Sequence, residues 1–344
     1  MSNTFVMDAW YVIAWSEDLP AMGRVSKTIL GLPVVAFRGE DGVAKAVTNR
    51  CAHRGVPLSM GTVVGGNIRC PYHALEFNGG GVCVRNPHIK GEPGRLTVRS
   101  YPVAERHGAV WVWTGDPARA DAALIPDFSG FDVDVPGYRT IHGYVTVEAD
   151  YRLVIDNLLD LSHAEYLHAN TVGTPGSSGS VKTSVDVGDQ RVTVLRKVFD
   201  LTPSAVFKPV WSRSERIDQQ ANMTWRAPSH LLLDLGIMPT GGVLADGLHF
   251  PSAHLLTPET ERTTHYFYAN TRNFLTEDTG FDDKVRATFV QAFGNEDRPI
   301  IEAIQRAAVD ASDGFRFADF TTGDAAASRV RRMLDKLAAP HSAS

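Results

Sequence analysis

Four residues in the first quarter of the chain have the types and spacing to hold a metal centre: Cys51 and His53 in one stretch, Cys70 and His73 in another. Sixteen residues separate His53 from Cys70, room for one β excursion that turns two short ligand loops face to face. Two cysteines and two histidines suit tetrahedral zinc, and also a [2Fe-2S] cluster in which histidines replace two cysteines on one iron. Spacing separates the two. A zinc finger keeps its cysteines together and its histidines together, whereas here each loop offers one of each kind and can give one ligand to each iron. The pattern favours the iron-sulfur cluster.

A second constellation lies between Asp156 and His168. Asn157, Asp160 and His163 recur every three residues, near one side of a helix, while Leu158, Leu159 and Leu161 pack elsewhere. His168 fits this helix less well. Five residues beyond His163 it stands about 140 degrees around an ideal α-helix, so joint coordination requires a wide turn or a break between them. Two imidazoles and one carboxylate make the facial triad that leaves open positions on non-heme Fe(II). Spacing leaves the carboxylate open among Asp156, Asp160, Asp282, Glu296 and Asp297.

The elements that must position these residues fall into two parts. Over the first 120 or so residues, Ala9 to Ala14, Val25 to Ile29, Leu32 to Arg38, Val43 to Val47 and Gly108 to Trp113 are brief apolar or β-branched runs between Gly, Pro and Asp turns. Leu75 to Phe77 and Val82 to Val84 form a hairpin around Gly79-Gly80-Gly81, and Trp111 and Trp113 read as core. The chain breaks at Thr114-Gly115-Asp116-Pro117 and runs through Pro/Asp/Gly-rich sequence to Tyr138, which gives domains 1–120 and 121–344. In the second, Val145 to Val147, Arg191 to Phe199 and Thr263 to Tyr268 read as strands. Tyr151 to Leu167, Asp282 to Phe293, Arg298 to Val309 and Ala325 to Leu337 read as helices, and Thr171 to Ser180 as loop. An α+β class follows, all-β first and mixed afterwards.

Composition narrows the function classes. A chain of 344 residues buries roughly 75% of its unfolded surface and defaults to two domains. Of three cysteines two are taken by the ligand loops, leaving Cys83, so no disulfide framework is expected and the natural compartment is a reducing cytoplasm. The strongest apolar stretch, Leu231 to Met238, is interrupted by Asp234 and is too short to span a bilayer. Lys plus Arg number 34 against 39 Asp plus Glu, with no basic tail, which argues against nucleic acid. Arg50, Arg54, Arg69, Arg85 and Lys90 surround the ligand loops and suggest a basic rim suited to an acidic electron donor.

With these motifs in place, the chain resembles the oxygenase components of Rieske non-heme iron oxygenases, in the aromatic O-demethylase branch that contains vanillate demethylase and dicamba monooxygenase. The likeness runs through Asp8-Ala9-Trp10-Tyr11-Val12, the loops Asn49 to Arg54 and Cys70 to His73, the Tyr151 to His168 segment, and the region beginning Glu296-Asp297. Every cluster ligand matches, but Ala74 stands where relatives usually carry glycine. The resemblance implies a Rieske [2Fe-2S] cluster on Cys51, His53, Cys70 and His73, followed by a catalytic domain with a central antiparallel sheet. It assigns His163, His168 and Asp297 as the ligands of a mononuclear Fe(II). It gives Asp160, supported by Asn157, the role of linking His73 of one subunit to His163 of the next in a homotrimer.

The implied activity is that of a terminal monooxygenase. A ferredoxin or a flavin-dependent NAD(P)H reductase supplies electrons, O2 is the oxidant, and hydroxylation of an O-methyl carbon on a small aromatic gives a hemiacetal that collapses to phenol and formaldehyde. The resemblance draws the substrate pocket from the sheet around Leu231 to Ile237, from His254, and from the helix near Thr288 and Phe289. Relatives place polar or aromatic groups at positions that correspond to Leu233 and Thr288, so a more apolar aromatic ether is expected. Three alternatives stand beside this reading. They are ring or methyl hydroxylation or N-demethylation by the same iron, a Rieske electron carrier, and a zinc-stabilised binding module. The roughly 220 residues after the first domain exceed what a carrier needs.

Overall fold

Short β-branched runs between tight turns build the first part of the chain as three small antiparallel sheets. Trp10–Trp15, Ala109–Trp113 and Val103–Arg106 form one. Arg24–Ile29, Leu32–Arg38, Ala44–Thr48 and Ser100–Tyr101 form the next. The third, Thr62–Val64, Asn67–Arg69, Glu76–Phe77 and Cys83–Arg85, carries the second ligand loop between its two middle strands. Val35, Phe37, Leu58, Ile68 and Phe77 make a core that also encloses Cys51, Cys70 and Cys83. Trp111 and Trp113 are fully buried, as the alternation of small and large residues predicts. In this computed structural model, which describes residues 5–174, 176–310 and 321–339, one compact unit is Phe5–Asp127 with Thr257–Thr260 and the other takes the remaining described residues.

The second unit is organised by a large antiparallel sheet with strand order Arg139–Val147, Thr263–Arg272, Ser252–Thr260, His230–Pro239, Ile217–Arg226, Arg191–Leu201 and Val181–Gly188. Leu248–His249 pairs with the side of His230–Pro239. Among the described residues five α-helices follow in chain order: α1 (Tyr151–Leu159), α2 (Ala164–Leu167), α3 (Gly280–Phe289), α4 (Arg298–Asp310) and α5 (Thr322–Ala338). α3 passes into α4 through π-helical turns at Val290–Asp297. α1 packs on Ile217–Arg226 and on α5, which in turn covers Arg191–Leu201. Among the described residues no helix is long and apolar enough to cross a membrane.

Two departures from the sequence reading bear on the site. The expected helix from Tyr151 to Leu167 is broken at Asp160, whose backbone leaves the helical region at φ −100, ψ 88. Its carboxylate accepts from the backbone N–H of Ser162 and starts a 3-10 turn at Leu161–His163, the competition with helical bonding that aspartate side chains offer. The break therefore precedes His163 and does not fall between the two histidines. The stretch expected to be loop contains a short 3-10 turn at Ser177–Ser180, and its Pro175 lies outside the described residues.

Candidate active site

The break at Asp160 puts His163 ahead of α2 and leaves His168 at its C-terminal cap. Both rings face a carboxylate brought from far along the chain at the end of the π-helical turns. His163 Nε2 lies 3.3 Å from Asp297 Oδ1, and His168 Nε2 lies 3.2 Å from Asp297 Oδ2. One ligand atom from each of the three residues fits within 4.8 Å of the others. π-turns widen the backbone by one residue per turn and often mark functional positions; here they carry Asp297 to the inner face, where it is 6% exposed.

Each imidazole is oriented through its outer nitrogen. His163 Nδ1 donates to the carbonyl of Asp160 at 2.5 Å, and His168 Nδ1 donates to Glu296 Oε2 at 2.6 Å. Both tautomers thus leave Nε2 as a lone-pair donor toward the shared point. Glu296 is itself fixed by the Thr171 hydroxyl at 2.8 Å and by the Gln291 amide. Burial works to raise the Asp297 carboxyl, but His163 and His168, when protonated at Nε2 with no metal bound, donate to it and hold its pKa at about 2. Burial likewise works to lower His168, and Asp297 and Glu296 turn the net shift upward. Two nitrogens and an ionised carboxylate on one side, with a cavity on the other, suit a ferrous ion with open positions.

The acids left open by spacing are now sorted. Asp156 is paired with Arg331, and Asp282 is held by Arg139 and Arg272, so neither is available to the triad. Glu296 lies one shell out, behind His168. Asp160 touches His163 through its backbone carbonyl, while its half-buried carboxylate caps Ser162. Gly323 packs against it so closely that a Cβ there would stand 2.5 Å from Asp160 Cα. The Asn157 amide donates to Asp297 Oδ1 at 3.0 Å. In this chain Asn157 therefore steadies the iron carboxylate, where the sequence reading had it supporting Asp160.

The triad opens onto a cavity of about 160 Å³. Its floor is a row across the sheet, in register Met223 opposite Leu233 opposite Ser252, and the amide of Asn270 donates to the Ser252 hydroxyl at 2.6 Å. Leu233, His254 and Thr288 line this cavity together with Phe289. The Thr288 hydroxyl is spent on the carbonyl of Lys284, one helical turn back. His254 Nδ1 lies 2.5 Å from the Tyr266 hydroxyl, and burial pulls its pKa down to about 3. Sequence reading missed Met223, Ser252, Tyr266, Asn270 and Phe293. Tyr266 lies on the strand recognised from Thr263 to Tyr268, and Asn270 on its continuation to Arg272, so carrying its period of two four residues further was the signal that could have found both.

The two ligand loops of the first unit are built alike. Gly55 N–H bonds to Cys51 O and Cys51 N–H to Val56 O, while Ala74 N–H bonds to Cys70 O and Cys70 N–H to Leu75 O. Gly55 and Ala74 occupy the same loop position with φ of +74 and +55, so the alanine that departs from the usual glycine adopts the left-handed backbone itself. His53 Nδ1 and His73 Nδ1 stand 3.2 Å apart. The Cys51 and Cys70 thiols adjoin inside the core, where burial raises the Cys51 thiol against backbone N–H groups from His53 and Arg54. Cysteines pair with cysteines and histidines with histidines, one of each per loop, the donor set of a Rieske cluster. Of the expected basic rim, Arg69 and Arg85 both converge on the buried Glu76, whereas Arg50, Arg54 and Lys90 are exposed.

Comparison with known proteins agrees with both sites. Residues 9–102 match the profile of the Rieske [2Fe-2S] domain, and residues 147–340 match that of the vanillate O-demethylase oxygenase C-terminal domain. The fold and the two donor sets define an enzyme, a Rieske-type non-heme iron monooxygenase. The chain belongs to the vanillate/dicamba monooxygenase branch of that family as a terminal oxygenase component. It is 42% identical over 338 residues to the oxygenase component of dicamba O-demethylase from Stenotrophomonas maltophilia, covering 97% of this chain and 98% of the relative. It is 36% identical to the iron-sulfur subunit of the toluene-4-sulfonate monooxygenase system from Comamonas testosteroni, with 97% of each chain covered. The crystal structure of dicamba monooxygenase bound to 3,6-dichlorosalicylic acid superposes with a TM-score of 0.91 at 41% identity, over 97% of this chain and 98% of that one.

Proposed function

We propose that this chain O-demethylates a methoxylated aromatic compound, using O2 and electrons from a separate donor. The observation that carries this reading is the facial triad of His163, His168 and Asp297 at one wall of a mostly apolar cavity, in a chain similar over almost its whole length to dicamba O-demethylase. Iron held by the triad supplies reductive O2 activation. The chain's own residues do the rest. Asn157 and Glu296 keep the ligands in place, and Leu233, Phe289 and Phe293 exclude water and hold the ring with its methyl toward the metal. Methyl ether, O2, two electrons and two protons become phenol, formaldehyde and water. Formaldehyde and phenol formed in equal amounts per O2 consumed support the reading, and hydroxylated product with the methoxyl group intact contradicts it.

Within this reading residues 1–120 form the electron-receiving domain, with the cluster on Cys51, His53, Cys70 and His73, and residues 121–344 the catalytic domain. The donor is a ferredoxin or a flavin-dependent NAD(P)H reductase with an acidic face toward Arg50, Arg54 and Lys90. The assembly is a cytoplasmic homotrimer in which Asp160 receives electrons from His73 of a neighbouring subunit. What supports Asp160 in this role is its direct backbone bond to His163 and a carboxylate that remains partly exposed.

A second reading, hydroxylation of a ring or methyl carbon, is favoured by the similarity to the subunit named for a toluene-4-sulfonate monooxygenase system. The same product analysis separates the two.

A further inference from the structure

Arg196, on the strand Arg191–Leu201, is 9% exposed and lines a cavity of about 320 Å³ beside Asp160. Its backbone N–H donates to the Asn222 side chain, but among the described residues its guanidinium has no hydrogen bond or ion pair. Burial pulls its pKa below the ordinary guanidinium value, and only the through-space attraction of Glu165 and Asp160 opposes this. Neither acid closes on it. Glu165 accepts from the backbone N–H groups of Gly176 and Ser178, and Asp160 from that of Ser162. A guanidinium buried this far stays charged, and a buried charge without a partner is costly enough that folded proteins pair it. The cavity is therefore half of a site.

The other half has to be an acid that arrives from outside. Ser162 is exposed at the cavity wall and Tyr166 is 76% exposed beside it, so this face is open. In the homotrimer of the proposed function, the same face receives His73 of a neighbouring subunit at Asp160. His73 travels with its own loop, since His88 Nε2 donates to the His73 carbonyl at 3.0 Å. From Cys51 to Ala104 the sequence holds only two acids, Glu76 and Glu92. Glu76 is buried between Arg69 and Arg85, whereas Glu92 is exposed and has no ion pair among the described residues. Glu92 is four positions beyond His88 and so at most about 14 Å from it. A contact that sets His73 on Asp160 therefore brings Glu92 to the surroundings of the cavity. Resting on that trimer reading, we propose that Glu92 of a neighbouring subunit enters this cavity and pairs with Arg196, locking the two subunits together beside the electron path.

Subunit exchange in the metal-loaded protein, followed by energy transfer between separately labelled batches, tests the pair. Arg196→Met and Glu92→Ala should each speed exchange about tenfold or more, because losing one partner of a desolvated charge pair acts on dissociation. The double variant should exchange no faster than the faster single, the non-additivity expected of two groups that act on each other. Glu92→Ala sits on an exposed loop, so it tests the pair even where Arg196→Met fails to fold. Wild-type exchange in Glu92→Ala, or losses that simply multiply in the double variant, would overturn the pair and leave the trimer standing. A wild-type mass by sedimentation other than that of a trimer would remove trimer and pair together.

Discussion

His168 Nδ1 stands 2.6 Å from Glu296 Oε2, so the residue next to the iron carboxylate in sequence holds an iron histidine from behind. Adjacent side chains thus serve the two shells of one metal, which the π-helical turns permit by letting both Glu296 and Asp297 reach inward. Glu296→Gln removes the charged acceptor while keeping the shape. Mononuclear iron affinity should fall about 10–100-fold, with the [2Fe-2S] absorption unchanged. Competition against a chelator reads the affinity, and wild-type retention of iron would dismiss the role.

Asp282 joins Arg139 and Arg272 and so fastens α3 to the edge strand Arg139–Val147 and its neighbour Thr263–Arg272. The Arg139 bond leads in lowering the Asp282 carboxyl below its ordinary value, burial opposes it, and Arg272 adds to the lowering. A depressed folded-state value contributes stability that is complete above the unfolded carboxylate range near 3.9 and is lost as pH falls through the folded value. Asp282→Asn should cost about 3 kcal/mol near neutral pH, because it leaves the fully buried Arg272 without its charge partner. The difference from wild type should shrink below about pH 4. Urea midpoints measured from pH 7 to 3 test this, and a difference that grows with acid would contradict it.

Ala74 carries a left-handed φ of +55 at the position where the companion loop has Gly55. Ala74→Gly should relieve roughly 1 kcal/mol of backbone strain, partly offset by the greater freedom glycine gives the unfolded chain. The variant should melt slightly higher with an unchanged cluster spectrum. A clear loss of thermal stability would mean that the alanine methyl contributes packing that outweighs the strain.

Much of this was legible beforehand because it rests on short-range spacing. The Cys51/His53 and Cys70/His73 pairs announced themselves, and so did the strands Leu32–Arg38 and Ala109–Trp113, whose patterns are strong within a few residues. Asp297 was legible only through family likeness, since nothing local distinguishes it from Glu296. The strands Val181–Gly188 and Ile217–Arg226 escaped because they alternate polar with modestly apolar residues, so their identity depends on neighbours in the sheet. The break at Asp160 escaped for the opposite reason. The leucine periodicity around it is helical, and a single carboxylate bonded to Ser162 overrides it.

Asp160→Asn tests the electron path. The amide keeps an acceptor for Ser162 N–H and fits the space against Gly323, so both metal centres should stay occupied. On the proposed path, turnover coupled to the donor should nearly vanish, because the partly exposed carboxylate that would accept from His73 of a neighbouring subunit becomes a neutral amide, while the backbone carbonyl bond to His163 is kept. Stopped-flow reoxidation of a prereduced cluster in the presence of substrate follows the step itself, and a wild-type rate would take Asp160 off the path.

The decisive measurement is made on His163→Ala: iron content together with product in a single turnover started from chemically reduced protein. The triad has only three protein ligands, the minimum for such a site. The variant should keep its [2Fe-2S] spectrum, lose mononuclear iron, and yield neither phenol nor formaldehyde from a methoxylated aromatic that the wild-type protein demethylates. Undiminished mononuclear iron with wild-type product in that single turnover would contradict the assignment of the site and the chemistry built on it.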